Sequence, residues 1–392
     1  MINRDIVLQL IWTNQPVSRA DIARASGLQR STVSTIVESL LNEGWICEGP
    51  LRLTQRGRHP TMLSLNDSRA ILAIDIHPGQ SSVAMVDLSG RILASSTLHI
   101  SKDPMRAIQP MVGCLTRLRK SYPDKPIEGV GVSVPGRISS KTQRLVFAPN
   151  LQWVGFDLKH AIEEEMGLTV EIENAANSSL LSELWFGRMD GVQNAALVTV
   201  SEGIGVGILA DGGIVTGHDG VAGEFGHIPL VSTGVLCGCG QVGCWETVAS
   251  NSAAIRYYAQ SDPTPKEVTY QELLDLAKQD DRNTAEALER QAVFLGKGLR
   301  MLSYAFSPEL VLVAGSLVSA WERIAPIIEK ELTNPPLPGP TPRLQPTYDG
   351  GLVRLRGAAA ILLQNDFGFH YLKRVSPDHQ RGVGQRRSSA AV

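Results

Sequence analysis

The stretch "AILAIDIHPGQSSVAMVDLSGRILASSTLHI", residues 70–100, falls into three apolar runs broken at Pro78-Gly79 and Ser89-Gly90. Runs of that length between glycine and proline punctuation predict three strands joined by tight turns. Downstream, "PIEGVGVSVPG" (126–136) predicts a buried strand, and "LTVEIENAANSSLLSELWFG" (168–187) a strand running into a helix. "NAALVTVSEGIGVGILADGGIVTG" (194–217) predicts a hairpin with glycines at its first bend. "RQAVFLGKGLRMLSYAFSPELVLVAGSL" (290–317) predicts a helix, a buried strand and a glycine turn. The strand–strand–strand–helix theme, beginning near 70 and again near 195, predicts two similar α/β lobes. A ligand site is expected in the cleft between them, where strand ends meet.

A chain of 392 residues exceeds one compact core, so two or three domains are expected. Its 43% hydrophobic and 19% charged content is that of an ordinary globular protein. A net charge of -2 exerts no global pull toward nucleic acid, so any such role must be local. With no long apolar run and with Arg4 and Asp5 at its start, the chain is expected to be cytoplasmic and away from membranes. The tail beyond residue 368 carries five basic residues against one acid from Tyr371 onward and no apolar period, which predicts a basic, unstructured end.

Ahead of the lobes, "VSRADIARASGLQRSTVSTIVESLLNEGWI" (17–46) predicts two short helices and a tight turn. Ser18 is the N-cap of the first and Gly27 supplies the turn. Val33, Ile36, Val37, Leu40 and Leu41 form one apolar stripe on the second. Gln29, Arg30, Ser31, Thr32, Ser34 and Thr35 begin its opposite face, where side chains can reach base edges in a major groove. "ICEGPLRLTQRGRHPTMLSLN" (46–66) alternates like a two-stranded wing carrying Arg52, Arg56 and Arg58. Its "GRHP" suits a minor groove. Residues 1–66 hold seven arginines and five acids, a local excess of +2. This segment is expected to bind double-stranded DNA, with Arg56 and Arg58 among the contacts.

Three of the five cysteines, Cys237, Cys239 and Cys244, crowd into "CGCGQVGCWE" (237–246), ten residues after the histidine of "GEFGH". Redox, nucleophilic and metal-binding roles are all open to such a cluster.

"AGEFGH" at 222–227 and "CGCGQVGCWE" together resemble the ROK proteins, which are repressors and sugar kinases of the actin–hexokinase superfamily. "APNL" at 148–151, "SEGIGVGILADGGIVTG" at 201–217 and "SPELVLVAGSL" at 307–317 extend the resemblance from about residue 4 to 365. An N-terminal winged helix on this body is similar to the family's repressors of the xylose and N-acetylglucosamine type. The resemblance implies an α/β fold with a winged helix-turn-helix at 1–68. A ribonuclease H-like, two-lobed ROK domain would follow, its first lobe at 69–190 and its second at 191–368.

With that resemblance, His227, Cys237, Cys239 and Cys244 read as four ligands of a structural Zn2+. A C-x-C disulfide would have poor geometry, and a triple cluster does not suit a catalytic thiol. The resemblance also places Asn150, Asn174, Glu224, His227 and Glu246 at the family's sugar contacts. One ring nitrogen of His227 would take the metal and the other the sugar.

In family kinases an Asn-Asp-x-Asn motif supplies the catalytic base. Here "NAAN" (174–177) puts Ala175 at the aspartate's position, and an alanine accepts no proton. Where those kinases have Asp-x-Gly-Gly-Thr, "DIHPG" (75–79) replaces both glycines with His77 and Pro78. Glu202 adds negative charge beside the second phosphate loop. The expectation is therefore a sugar-responsive transcriptional regulator without enzymatic activity. It would be a homodimer or homotetramer that binds an operator and a small sugar or sugar phosphate. The alternative is an ATP-dependent sugar kinase with a fused DNA-binding domain.

Overall fold

Ahead of the expected DNA reader the chain already forms a helix, α1 (Ile2–Asn14), with Ile6, Val7, Leu8 and Ile11 buried. The structure, a computed structural model, describes residues 2–51, 60–187, 189, 191–261, 267–334, 339–347 and 352–367. The tail from 369 to 392 and the wing arginines Arg52, Arg56 and Arg58 lie outside the described residues.

After α1 come β1 (Val17–Ser18), α2 (Arg19–Ser26), α3 (Arg30–Asn42), β2 (Ile46–Leu51) and β3 (Thr61–Leu65). The Ser18 hydroxyl accepts from the Asp21 N–H at 3.2 Å and so caps α2. Gly27 ends that helix at φ 70, a conformation that costs glycine little. Val33, Val37 and Leu40 are the buried stripe of α3. β3 pairs antiparallel with both β1 and β2, which completes the wing.

The first lobe contains β4 (Ala70–Asp75), β5 (Ser81–Asp87), β6 (Ile92–Leu98), α4 (Pro104–Ser121) and β7 (Ile127–Val134). It continues through β8 (Arg137–Ile138), β9 (Leu145–Ala148), β10 (Trp153–Phe156), α5 (Leu158–Met166), β11 (Val170–Asn174) and α6 (Ala175–Phe186). The second lobe runs β12 (Ala195–Val200), β13 (Ile204–Ala210), β14 (Gly213–Ile214), α7 (Trp245–Ala249) and α8 (Asn251–Ser261). Then follow α9 (Tyr270–Ala277), α10 (Arg282–Phe306), β15 (Leu310–Ala314), α11 (Trp321–Leu332), β16 (Arg343–Pro346) and α12 (Val353–Phe367).

The two large sheets have the same order, β6-β5-β4-β7-β11 and β14-β13-β12-β15-β16. Each joins an antiparallel hairpin pair to two parallel strands. The repeat read from the sequence is therefore a repeat of topology. All six residues of β4 are buried, as a strand covered on both faces requires. On one face α4 and α5 complete a core with Met111, Leu115 and Ile162; on the other lie α6 and α12.

Two placements differ from the sequence reading. The helix α12, within the stretch assigned to the second lobe, packs on α6, β7 and β4 of the first. Its small residues permit this, since a Cβ on Gly357 would sit 1.9 Å from the Ser178 carbonyl oxygen of α6. Residues 259–286 read as a polar surface excursion, yet α9 sends Tyr270, Leu273 and Leu274 into the second lobe's core. One buried cluster runs from Val7, Leu8 and Ile11 through Ile71 and Ala73 to Trp185 and α12. The N-terminal domain is thus packed on the body through a shared core.

Candidate functional site

Asn174 ends β11, and its side-chain oxygen accepts from the N–H groups of Ala176 (3.0 Å) and Asn177 (2.9 Å), which starts α6. Asn150 sits in a single turn, Pro149–Leu151, that follows β9. Glu224 and His227 share a turn begun by Gly223, and Glu246 stands in the first turn of α7. These five side chains, brought from both lobes, line one cavity of about 400 Å³. Arg137, Ala175, Thr199 and Arg354 line it too. Gly203 leaves room for Glu246, because a Cβ there would lie 2.6 Å from its Oε2.

The sulfur atoms of Cys237, Cys239 and Cys244 and a nitrogen of His227 all lie within 4.8 Å of one another. Cys239 Sγ is 3.6 Å from Cys244 Sγ, and Cys237 Sγ is 3.4 Å from His227 Nδ1. A tetrahedral ion with metal–sulfur bonds near 2.3 Å would set sulfurs roughly 3.8 Å apart, so the donor set can hold a metal ion. Burial pushes the Cys237 and Cys244 thiols above their ordinary range. A bound cation reverses that preference, because thiols coordinate as thiolates. His227 Nδ1 faces the cluster while Nε2 stands 3.5 Å from Glu224. Nδ1 is also 3.4 Å from the Glu246 carboxylate, so this nitrogen faces both the cysteine cluster and the cavity acid. The loop is anchored by Cys244 Sγ on the His227 carbonyl oxygen (3.2 Å) and by the fully buried Trp245, whose Nε1 donates to Phe294 O at 3.0 Å.

Ala175 opens α6 at the cavity wall. Glu173 is turned away from it, accepting from the Asn174 N–H (2.8 Å) and the Asn177 amide (3.2 Å), and burial raises its pKa. His77 Nε2 and Glu202 Oε2 meet at 3.0 Å, joining the first loop of one lobe to the first loop of the other. Asp75 pairs with Arg354 at 2.8 Å, and Arg354 also donates to the Ile76 carbonyl oxygen at 2.7 Å. Neither Arg137 nor Arg354 was singled out from the sequence. The one available signal was that Arg137 follows Pro135-Gly136 at the end of a buried parallel strand, where ligands gather.

On the N-terminal domain, Gln29, Arg30, Ser31 and Thr35 are exposed and Thr32 and Ser34 half-buried, all on α3 or at its start. Ser31 and Thr35 lie opposite the buried Val33, Val37 and Leu40. Arg19 ties the start of α2 to the wing through Glu48 at 2.9 Å. Among the described residues no helix is long and apolar enough to cross a membrane.

A sequence profile described as the MarR family matches residues 6–47, the span from α1 into the wing. A second, described as the ROK family, matches residues 71–364. The xylose repressor of Bacillus spizizenii is 30% identical over 370 residues, covering 93% of this chain and 95% of that protein. The N-acetylglucosamine repressor of Escherichia coli is 27% identical over 84% of each chain. Among solved structures, a ROK family transcriptional regulator homologous to the Escherichia coli MLC protein superposes with TM-score 0.80. It is 24% identical and covers 94% of this chain and 97% of its own. A ROK family glucokinase from Streptomyces griseus, in complex with glucose and AMPPNP, gives TM-score 0.70 at 28% identity. That match spans 75% of this chain and 99% of the glucokinase. Two lobes of one topology, a His/Cys cluster beside the cleft and these matches agree: the chain belongs to the ROK family.

Proposed function

We propose that this protein is a sugar-responsive transcriptional repressor that binds operator DNA through α3 and its wing. It acts in the cytoplasm as a homodimer or homotetramer, so that two α3 helices meet half-sites on one face of the duplex. Asn150, Asn174, Glu224, His227 and Glu246 are its sugar contacts, in a pocket where unpaired polar groups are costly enough to enforce recognition. His227 Nδ1, Cys237, Cys239 and Cys244 hold a structural Zn2+ that stabilises the loop and fixes the His227 ring. The relatives named as xylose and N-acetylglucosamine repressors support the reading.

The observation that carries it is Ala175 at the head of α6, in the cavity that Asn150, Asn174, Glu224, His227 and Glu246 also line. Phosphoryl transfer needs a proton acceptor at the attacking hydroxyl and a cradle for phosphate. The base is absent, and the His77–Glu202 pair puts a carboxylate between the two loops that would form the cradle.

A signal has a short path to the DNA reader. α6 begins at the cavity with Ala175 and ends at Trp185 and Phe186, against which Trp12 of α1 packs at 4.6 and 5.9 Å between ring centres. Sugar that draws the lobes together would tilt α6 and with it α1, altering the spacing of paired reading helices. The alternative, a sugar kinase with a fused DNA-binding domain, draws on the likeness to the glucokinase body. Calorimetry together with a coupled ADP-release assay over pentoses, hexoses and their phosphates separates the two. Binding without turnover is expected, and steady ADP release with any sugar would overturn this reading.

A further inference from the structure

His77 and Glu202 hold the same place in the two halves of the repeat. β4 and β12 are each the middle strand of their sheet, and each turns back into an antiparallel partner, β5 or β13. His77 stands two residues beyond Asp75, the end of β4, and Glu202 two residues beyond Val200, the end of β12. Their 3.0 Å contact therefore ties the lobes together at equivalent turns. Both turns are pinned. The His77 N–H donates to Ser81 Oγ at 3.1 Å, and the Gly79 N–H donates to His77 Nδ1 at 3.3 Å. With Nδ1 accepting, Nε2 carries the hydrogen that faces the Glu202 carboxylate. In the other turn the Ser201 N–H donates to the Gly203 carbonyl oxygen at 3.0 Å, and the Asn251 N–H to that of Ser201 at 2.8 Å.

Ser201 and Gly203 line the cavity, and Glu202 between them does not. The pair thus joins the lobes without taking up the space of a ligand. A second polar tie crosses between the lobes beside β8, where the Ser139 hydroxyl donates to Asp219 Oδ1 at 2.8 Å. With both ties made, Asn150 and Asn174 of the first lobe and Glu224, His227 and Glu246 of the second line one cavity. The clasped arrangement is therefore the one in which groups from both lobes are assembled around a common space. A ligand whose site is assembled in only a fraction of the molecules binds more weakly by that fraction. A part-exposed pair such as His77–Glu202 moves an equilibrium of this kind by up to about fivefold.

We propose that His77 and Glu202 form an interlobe clasp that keeps the cavity preformed and so sets the sugar concentration to which the protein responds. The two loops that would cradle phosphate in a kinase are joined to each other instead. Sugar and clasp favour the same lobe arrangement, so the clasp shifts the unliganded protein part of the way toward its sugar-bound form. This rests on the sugar-sensing reading and adds what holds the sensing cavity closed.

Charge exchange in the full-length, zinc-loaded protein tests it. His77→Glu sets two carboxylates against each other, and adding Glu202→Lys restores an attraction across the same gap. Calorimetry with xylose, glucose, N-acetylglucosamine and the 6-phosphates of the last two reads affinity. Small-angle X-ray scattering without sugar reads lobe closure. For the sugar that binds the parent most tightly, His77→Glu is expected to weaken binding by about three- to tenfold. The double exchange should return it to within about twofold of the parent, which guards against a folding defect in the single variant. His77→Glu alone should also increase the radius of gyration. A pair that only stabilises its own loops would lower the melting temperature of His77→Glu and leave affinity and radius unchanged. That result, tighter binding by His77→Glu, or a loss that the double exchange does not repair would overturn the clasp while leaving the sensor intact. No binding of any of these sugars by the parent would overturn the sensor reading and the clasp together.

Discussion

Trp12 Nε1 donates to the Trp185 carbonyl oxygen at 2.7 Å, with the two rings edge to face. The first helix of the winged-helix domain is thereby fixed to the last turn of the helix that opens at the cavity between the lobes. α6 has 12 residues and so spans about 18 Å. Trp185 Nε1 donates in turn to Gln364 of α12 at 3.1 Å, so both helices behind the cavity share the contact.

Trp12→Ala should therefore separate sensing from response. Sugar affinity by calorimetry is expected to stay within about twofold, because the cavity is untouched. The change in operator affinity on adding sugar should shrink by about tenfold or more, corresponding to the loss of an aromatic contact and a hydrogen bond worth roughly 1–3 kcal/mol. Fluorescence anisotropy on labelled operator reads it, and an undiminished response would remove α1 from the path.

Metal analysis should find one zinc per chain. Cys239→Ser should lose it and lower the melting temperature, and sugar binding should weaken by about tenfold or more as His227 and Glu246 lose their support. Cys47→Ser, in the wing, should change none of these. A Cys239→Ser protein with full metal content would refute the ligand set.

Restoring the missing acid should not restore catalysis. An aspartate at the first position of α6 suits the helix dipole, so Ala175→Asp is expected to fold as stably as the parent, or more so by up to about 1 kcal/mol. ADP release should remain at background, since His77, Pro78 and the Glu202 carboxylate still disrupt the phosphate loops. Measurable turnover in this variant would show that residue 175 alone separates sensor from kinase.

The His77–Glu202 pair gives a pH signature. Burial opposes the ionisation of Glu202, but the His77 ring bonds the carboxylate and the net effect holds its pKa below the usual range. A lowered carboxylate pKa contributes stability above the ordinary glutamate range, and that contribution is lost as pH falls through the lowered value. Glu202→Gln should therefore melt lower than the parent at neutral pH, and the gap should close in acid. With Glu202 nearly half exposed at 47%, the gap should not exceed about 1 kcal/mol. A gap that widens in acid would reverse the assignment.

The parts legible in the sequence were those written in local pattern. β4 to β6 declared themselves by short apolar runs and by turns at Pro78-Gly79 and Ser89-Gly90, and α3 by its stripe. The His227 and cysteine spacing was legible because metal ligands must be few, polarisable and close. α1 was missed because "INRDIVLQLIWTN" has no N-cap signal and its apolar residues find their partners in α2, β3, α3 and, through Trp12, α6. The return of α12 to the first lobe was not legible, since nothing in chain order tells a terminal helix which sheet to cover. Nor was Arg137, which lines the cavity and has no partner among the described residues, a property of the folded surroundings and not of its neighbours in sequence.

The central claim is that this body senses sugar in order to release or retain DNA. Its most direct test is operator affinity, measured by anisotropy on a fragment of the gene's own promoter, as sugars and sugar phosphates are titrated in. At least one of them is expected to shift the dissociation constant by about tenfold or more, and Asn150→Ala and Glu224→Gln to abolish the shift without weakening DNA binding in the absence of sugar. An operator affinity that no sugar alters, in protein carrying its zinc, would contradict it.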